Sequence, residues 1–249
     1  MILINCLVRT RQAGFSLVEM AIVLMIVAIL MAALVPTLSS QMEQRSRSET
    51  KKKLEEINDA LIGFAVMNGR LPCPASSTSN GVEDPANAAT GAACTRQWDG
   101  FVPGATLGIS GLDSQGYVVD GWNNRIHYAV TNSNANAFTT TNGMSTNFST
   151  LVPDLLVCSK ASTTNSSCSV ANTTLTSAPG VPVVIYSTGV NGGSSSTSLD
   201  ETENPNPNPA SKIDRVFVSH ENTTDFDDLV TWISQNTLFN RMVAAGKLP

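Results

Sequence analysis

Residues 15–38 read Phe15-Ser-Leu-Val-Glu19-Met-Ala-Ile-Val-Leu-Met-Ile-Val-Ala-Ile-Leu-Met-Ala-Ala-Leu-Val-Pro36-Thr-Leu38, with Glu19 the one charge. About 24 residues at ~1.5 Å each would cross a hydrocarbon core of ~30 Å. Arg9 and Arg11 precede the run, so the positive-inside rule keeps the short leader cytoplasmic and sends the rest across. The run is too long for the apolar region of a secretory signal peptide. Working outward, the expectation is a leader at 1–14, a transmembrane anchor helix at 15–38 and an exported domain at 39–249 whose upper stalk helix covers 39–68.

Glu19 needs a reason to be there. A carboxylate inside a membrane helix costs at least about 2.5 kcal/mol unless it is paired or protonated. The stretch Gly14-Phe15-Ser16-Leu17-Val18-Glu19 resembles the processing site of type IV prepilins and type II secretion pseudopilins. The resemblance implies cleavage by prepilin peptidase between Gly14 and Phe15, methylation of the Phe15 amine, and assembly through Glu19. That acid would pair with the mature N-terminal amine of a neighbouring pilin or pseudopilin subunit. Opposite charges in a dry helix bundle are tolerable together and expensive apart. Pro36 falls where many members of the family carry a proline that kinks the helix. The resemblance also implies an inner-membrane assembly platform as a partner. It implies a single-pass inner-membrane location, with the C-terminal domain in the periplasm or on the cell surface within a filament.

Composition narrows the rest. Removing Arg9 and Arg11 with the leader takes the formal charge from −5 to −7, a balance that disfavours nucleic acid and suits cations or basic surfaces. The leader also takes Cys6, leaving Cys73, Cys94, Cys158 and Cys168, an even set of disulfide candidates. Four cysteines allow three connectivities. The local pairs, Cys73 with Cys94 and Cys158 with Cys168, are favoured because each would staple a loop-rich insert. Zinc held by thiolate is the weaker reading, because no CxxC occurs and His127 and His220 are not spaced near the cysteines.

Along the chain, the apolar residues Leu54, Ile57, Leu61, Ile62, Phe64 and Ala65 recur at three- and four-residue steps, the stripe of a helix that a sheet can cover. Gly69 and Leu71-Pro72-Cys73-Pro74 end that helix. Residues 73–118 read as a long irregular connection pegged by Trp98, Phe101 and Leu107. Strands are expected at Ile126–Val130, Val181–Ser187 and Arg215–His220, joined without helical crossovers and therefore antiparallel. The Asn- and Thr-rich stretches 132–150 and 159–177 cannot build a core of their own. Residues Asp225–Ser234 read as a capped helix start, followed by a helical stretch from Leu238 to Ala245. The fold class is therefore α+β and pilin-like: a long N-terminal helix, anchor plus stalk, packed on a small antiparallel sheet with long irregular inserts.

Three segments are similar, in order, to landmarks of the major pseudopilin of type II secretion: Asp120-Gly-Trp122-Asn-Asn-Arg-Ile-His-Tyr128, Tyr186-Ser-Thr-Gly189-Val-Asn-Gly192 and Asp227-Asp-Leu-Val-Thr-Trp232. Asn123 stands where that family has a glycine, and the inserts are larger. A minor subunit fits better than a sole building block. Those pseudopilins bind calcium in the loop after the glycine-rich turn, so calcium is a possible cofactor here, with Asp200, Glu201 and Asp225 as leading ligands. The alternative function is a minor pilin acting as an adhesin, its Asn- and Thr-rich loops recognising a surface. No nucleophile elbow, zinc-ligand motif or phosphate loop is present, so an enzyme is not expected.

Overall fold

The computed structural model describes residues 14–86, 90–146, 148–164, 166–168, 173–192, 198–204 and 214–249, and only the helical backbone of 32–39. The leader with Cys6, Arg9 and Arg11, and the side chain of Pro36, lie outside the described residues. By their contacts the residues form two units, 1–44 and 45–249.

Helix α1 (Leu17–Asn68) is 52 residues long. It opens on Ser16-Leu-Val-Glu19, the spacing of a capping box, and the Ser16 hydroxyl accepts the Glu19 backbone N–H at 3.1 Å. Glu19 thus lies in the first turn, where a negative charge is favoured by the helix dipole. The helix ends at Gly69, whose φ of +67° suits a glycine cap and whose N–H donates to Ala65 O at 2.8 Å.

The anchor expectation is corrected. Among the described residues no helix is long and apolar enough to cross a membrane. The transmembrane segment, and the single-pass inner-membrane location built on it, are overturned on that ground.

In the second unit, α1 is followed by β1 (Gly100–Phe101), α2 (Gly104–Leu107), β2 (His127–Val130), α3 (Ser133–Asn136), α4 (Gly143–Thr146), β3 (Leu156–Cys158), β4 (Val183–Ser187), α5 (Leu199–Glu203), β5 (Val216–Val218), β6 (Leu229–Ile233) and α6 (Gln235–Ala244). A four-stranded antiparallel sheet runs β1-β2-β4-β6, and a second sheet pairs β3 with β5. Period-two alternation divides the first sheet into two faces. Tyr128, Val130, Val183, Ile185 and Ile233 share a core with Leu54, Ile57, Leu61 and Ala65 of α1. Ala129, Val184 and Tyr186 turn the other way, onto Leu155, Val157 and Phe217 of the β3–β5 side.

Two strand expectations change. Residues 216–218 do form a strand, but it pairs parallel with β3 in the second sheet instead of extending the antiparallel one. Residues 229–233 are a strand, not a helix: Val230, Thr231, Trp232 and Ile233 are β-branched or aromatic and alternate faces beside β4. The C-terminal helix begins afterwards, capped by Ser234, whose hydroxyl accepts the Thr237 N–H.

The long connection is tied at several points. Cys73 bonds Cys94 and Cys158 bonds Cys168, with Cα–Cα distances of 5.4 and 5.8 Å. Arg70 meets Glu83 through two hydrogen bonds of 2.8 and 2.6 Å, both side chains buried, and Glu83 also accepts the Cys73 N–H. Trp98 and Leu107 pack against the two core clusters from opposite sides of the sheet. At the turn before β2, a Cβ on Gly121 would stand 2.3 Å from the Ser46 carbonyl oxygen, so only glycine allows this approach to α1. The Gly121 N–H donates to the buried Thr50 hydroxyl there at 2.9 Å.

Candidate functional site

Two sites emerge, one in each unit. In the first, Gly14, Phe15 and Ser16 are non-helical and exposed, directly before the capped start of α1. Phe15 is 79% exposed, and the large apolar side chains from Leu17 to Met31 are exposed all round the helix. Each such side chain forgoes on the order of 1.5–3 kcal/mol of burial. A helix apolar on every side is built to be surrounded by apolar groups.

The second site lies where three loops of the globular unit converge. Helix α5 brings Glu201; the loop between β5 and β6 brings Asp227 and Asp228; the turn after β4 wraps around them. One carboxylate oxygen of each acid lies within 4.8 Å of the others. All three are buried. Asp227 Oδ2 accepts the N–H groups of Val190 at 2.7 Å and Asn191 at 3.3 Å. Gly189 has φ +62°, and a Cβ there would stand 2.5 Å from the Asp227 carboxyl carbon, so the turn closes this tightly only around glycine. Glu201 accepts the Asp227 N–H at 3.2 Å and a side-chain N–H of Asn191. Asn204 donates to Asp228 Oδ2 at 2.7 Å, while its other contacts cap both backbone groups of Val218 on the edge of β5.

Those bonds leave a deficit of positive charge. Asp227 Oδ1 and Asp228 Oδ1 are buried with no hydrogen-bond partner among the described residues. Burial pushes the Asp228 carboxyl up to about 8, and the nearby Glu201 and Asp227 charges add to the rise against the Asn204 hydrogen bond. Burial likewise raises Glu201, with Asp227 contributing. Three buried acids facing one another need protons or a cation, and the orphaned oxygens are the atoms a cation would take. The cluster is able to hold a divalent metal ion.

The three expected calcium ligands are not brought together. Glu201 belongs to the cluster. Asp200, its neighbour, instead accepts the Ala161 N–H at 2.6 Å and lies 3.3 Å from His220 Nε2. Asp225 is exposed, its N–H turned to the Thr223 hydroxyl. Asp227 and Asp228 take the two places. The signal available for them was the β-rich run that follows: acids placed directly before a strand are not helix caps and are free to close a loop. The loop residues 193–197 and 205–213 lie outside the described residues. His127, in the sheet, stacks on Tyr186 at 4.7 Å and meets Asp99 at 3.2 Å, a structural setting.

Residues 9–35 match the family model of the prokaryotic N-terminal methylation motif. No curated protein and no solved structure matches the chain. The N-terminal region therefore carries a prepilin-type cleavage and methylation motif, and the helix packed on a sheet gives a pilin- or pseudopilin-like architecture. The motif implicates processing by a prepilin peptidase and assembly with other pilin-like subunits. It points to a structural protein rather than a catalyst.

Proposed function

We propose that the chain is a structural subunit, and a minor one, of a type IV pilus or type II secretion pseudopilus. Prepilin peptidase cuts between Gly14 and Phe15, the Phe15 amine is methylated, and Glu19 pairs with that amine on a neighbouring subunit. The observation that carries this reading is the coincidence of the methylation motif with an α1 segment whose apolar side chains find no cover within the described chain. The inserts of the globular unit, two of them stapled by disulfides, support a minor role over that of a repeated building block. The adhesin alternative is weakened because the two aromatic residues of the Asn- and Thr-rich stretch 132–150, Phe138 and Phe148, do not lie free on the surface: Phe138 is fully buried, and the half-buried Phe148 packs tilted against Phe239 with ring centroids 5.2 Å apart.

Intact mass and N-terminal sequencing of the protein from host cells with and without the peptidase test the proposal. Loss of the first 14 residues plus the mass of one methyl group, in the presence of the peptidase alone, is the expected result. A chain beginning at Met1 in both strains overturns it.

The cation of the acidic cluster is, in this proposal, calcium, held by Glu201, Asp227 and Asp228. Carboxylate oxygens on loops suit its flexible, all-oxygen coordination better than the strict octahedron of magnesium. Titration calorimetry should give calcium binding that is lost in Asp228→Asn, and equal or tighter magnesium binding would reject calcium as the ion.

A further inference from the structure

The turn that closes over Asp227 is tied on its other side to α1. Asp227 Oδ2 holds the N–H groups of Val190 and Asn191. Just before them, the Gly189 N–H donates to the Ser187 hydroxyl at 3.2 Å, and that hydroxyl donates to Asp120 Oδ2 at 2.6 Å. The Gly189 carbonyl accepts a side-chain N–H of Asn124 at 2.7 Å. Asp120 Oδ1 accepts the N–H groups of Trp122 and Asn124 at 2.9 and 2.8 Å, the pattern by which an aspartate folds its own backbone into a turn. From that turn the Gly121 N–H reaches the Thr50 hydroxyl, which donates to the Ser46 carbonyl at 2.8 Å.

Thr50 and Ser187 are fully buried, and Asp120 is nearly so. Buried groups that are one another's partners cannot part without leaving a donor or acceptor unpaired, so the turns at 120–124 and 187–192 move as a pair. The two ends of this path differ. At one end lie Asp227 Oδ1 and Asp228 Oδ1, buried without a donor among the described residues. At the other lie Ser46 and Thr50, in the first turns of α1 that belong to the globular unit. There Gly121 leaves no room for a side chain against the Ser46 carbonyl, and the Arg47 guanidinium lies 5.9 Å from the centre of the Trp122 ring.

We propose that a divalent cation in the acidic cluster tightens the grip of the 120–124 turn on α1 at 46–50. Resting on the calcium reading of Glu201, Asp227 and Asp228, this coupling extends the effect of the ion to residues that it does not touch. A ligand shifts an equilibrium only by favouring one arrangement over another. Here the favoured arrangement is the closed 187–192 turn. Asp227, with its bare oxygen bound to a cation, holds the backbone of Val190 and Asn191 in place. Gly189 then carries the restraint through Ser187, Asn124 and Asp120 to Gly121. With the cluster empty, three buried acids face one another and oppose that closure. The result is a cation-dependent hold on α1 directly after it enters the globular unit.

The test uses the full chain in mild detergent, first stripped with a chelator and then given calcium chloride. Calorimetry reads binding, and amide exchange followed by mass spectrometry reads each segment. Calcium should slow exchange at 189–191, 120–124 and 46–53 by about tenfold, an ordinary size for coupling between sites. Thr50→Val removes the hydroxyl on which the path converges. It should bind calcium as the wild type does and keep the slowing at 189–191, but lose it at 46–53. Thr50→Ser should keep the slowing at all three segments. If Thr50→Val does not fold, Asn124→Ala with Ser187→Ala cuts the path at its other joint and should give the same pattern. Calcium binding with no slowing at 46–53 in the wild type overturns the coupling alone. Slowing at 46–53 that survives in the cut variants overturns it too, since it would reflect general stabilisation of the globular unit. Absence of any binding heat in the wild type overturns the calcium reading, and the coupling with it.

Discussion

Helix α1 holds two regions of opposite character. In its first unit Leu24 is 64% exposed, while in the globular unit Leu61 of the same helix is fully buried against the sheet. Both residues favour helix equally, so local propensity cannot distinguish them. What differs is whether the chain itself supplies the covering surface. The upper stripe is completed by β2, β4 and β6; the lower cylinder is apolar all round and is completed by nothing among the described residues. One half of α1 is held by folding, and the other is prepared for contacts that folding does not make.

Truncation is the sharpest way to break that contrast. Leu61→Ala should lower the unfolding free energy by about 3 kcal/mol, through lost burial and a cavity. Leu24→Ala should change it by less than about 0.5 kcal/mol. Chemical denaturation of both variants, followed through the far-ultraviolet signal, checks this. A comparable loss for Leu24→Ala would mean that the lower half is packed within the isolated chain.

The disulfides extend the comparison into the globular unit. Cys73–Cys94 spans 21 residues of sequence and Cys158–Cys168 spans 10. Loop-closure entropy gives about 3 kcal/mol for each, with the longer loop ahead by about 0.7 kcal/mol. Paired serine variants measured by thermal unfolding test the order. The first pair should lose more for a second reason, since Cys73 is buried in the main core and its N–H is held by Glu83. No comparable staple ties the lower half of α1 among the described residues, so reduction should leave its helical signal intact while the globular unit loosens.

Legibility in the sequence follows the same division. The stripe at Leu54, Ile57, Leu61 and Ala65 was readable because four residues at helical spacing leave one interpretation. The runs at 126–130 and 181–187 were readable because β-branched residues crowd there. Strand β3 is three residues long and pairs in parallel with β5 across sixty positions, a contact that no local pattern announces. At β6 a local pattern misled: Asp225 or Asp227 reads as a helix cap, and only the alternation of Leu229–Ile233 opposes that reading. The anchor expected at 15–38 rests on composition alone, and among the described residues no helix is long and apolar enough to be one. For the acidic cluster, Glu201 was legible as an acid in a polar loop, but its partners are set by the turn at Gly189 folding around Asp227, which is tertiary geometry.

Buried charge gives the last and smallest test of the contrast. Glu19 is an exposed acid at a helix start. Asp228 is buried beside Glu201 and Asp227, and its carboxyl is raised to about 8 from an ordinary value of 3.8. A carboxyl raised by folding binds its proton more tightly in the folded state, so the folded form is favoured at low pH and loses that advantage as pH rises towards the folded value. Without divalent cations, stability should fall by about 2 kcal/mol between pH 6 and pH 8, lowering the melting temperature by roughly 4–8 °C. Asp228→Asn should flatten that slope. Calcium should restore the stability lost at pH 8 in the wild-type chain by replacing the proton among the three carboxylates. A melting temperature that rises with pH without added cation would mean that the cluster is ionised and compensated within the chain, and the orphaned oxygens of Asp227 and Asp228 would then need another partner.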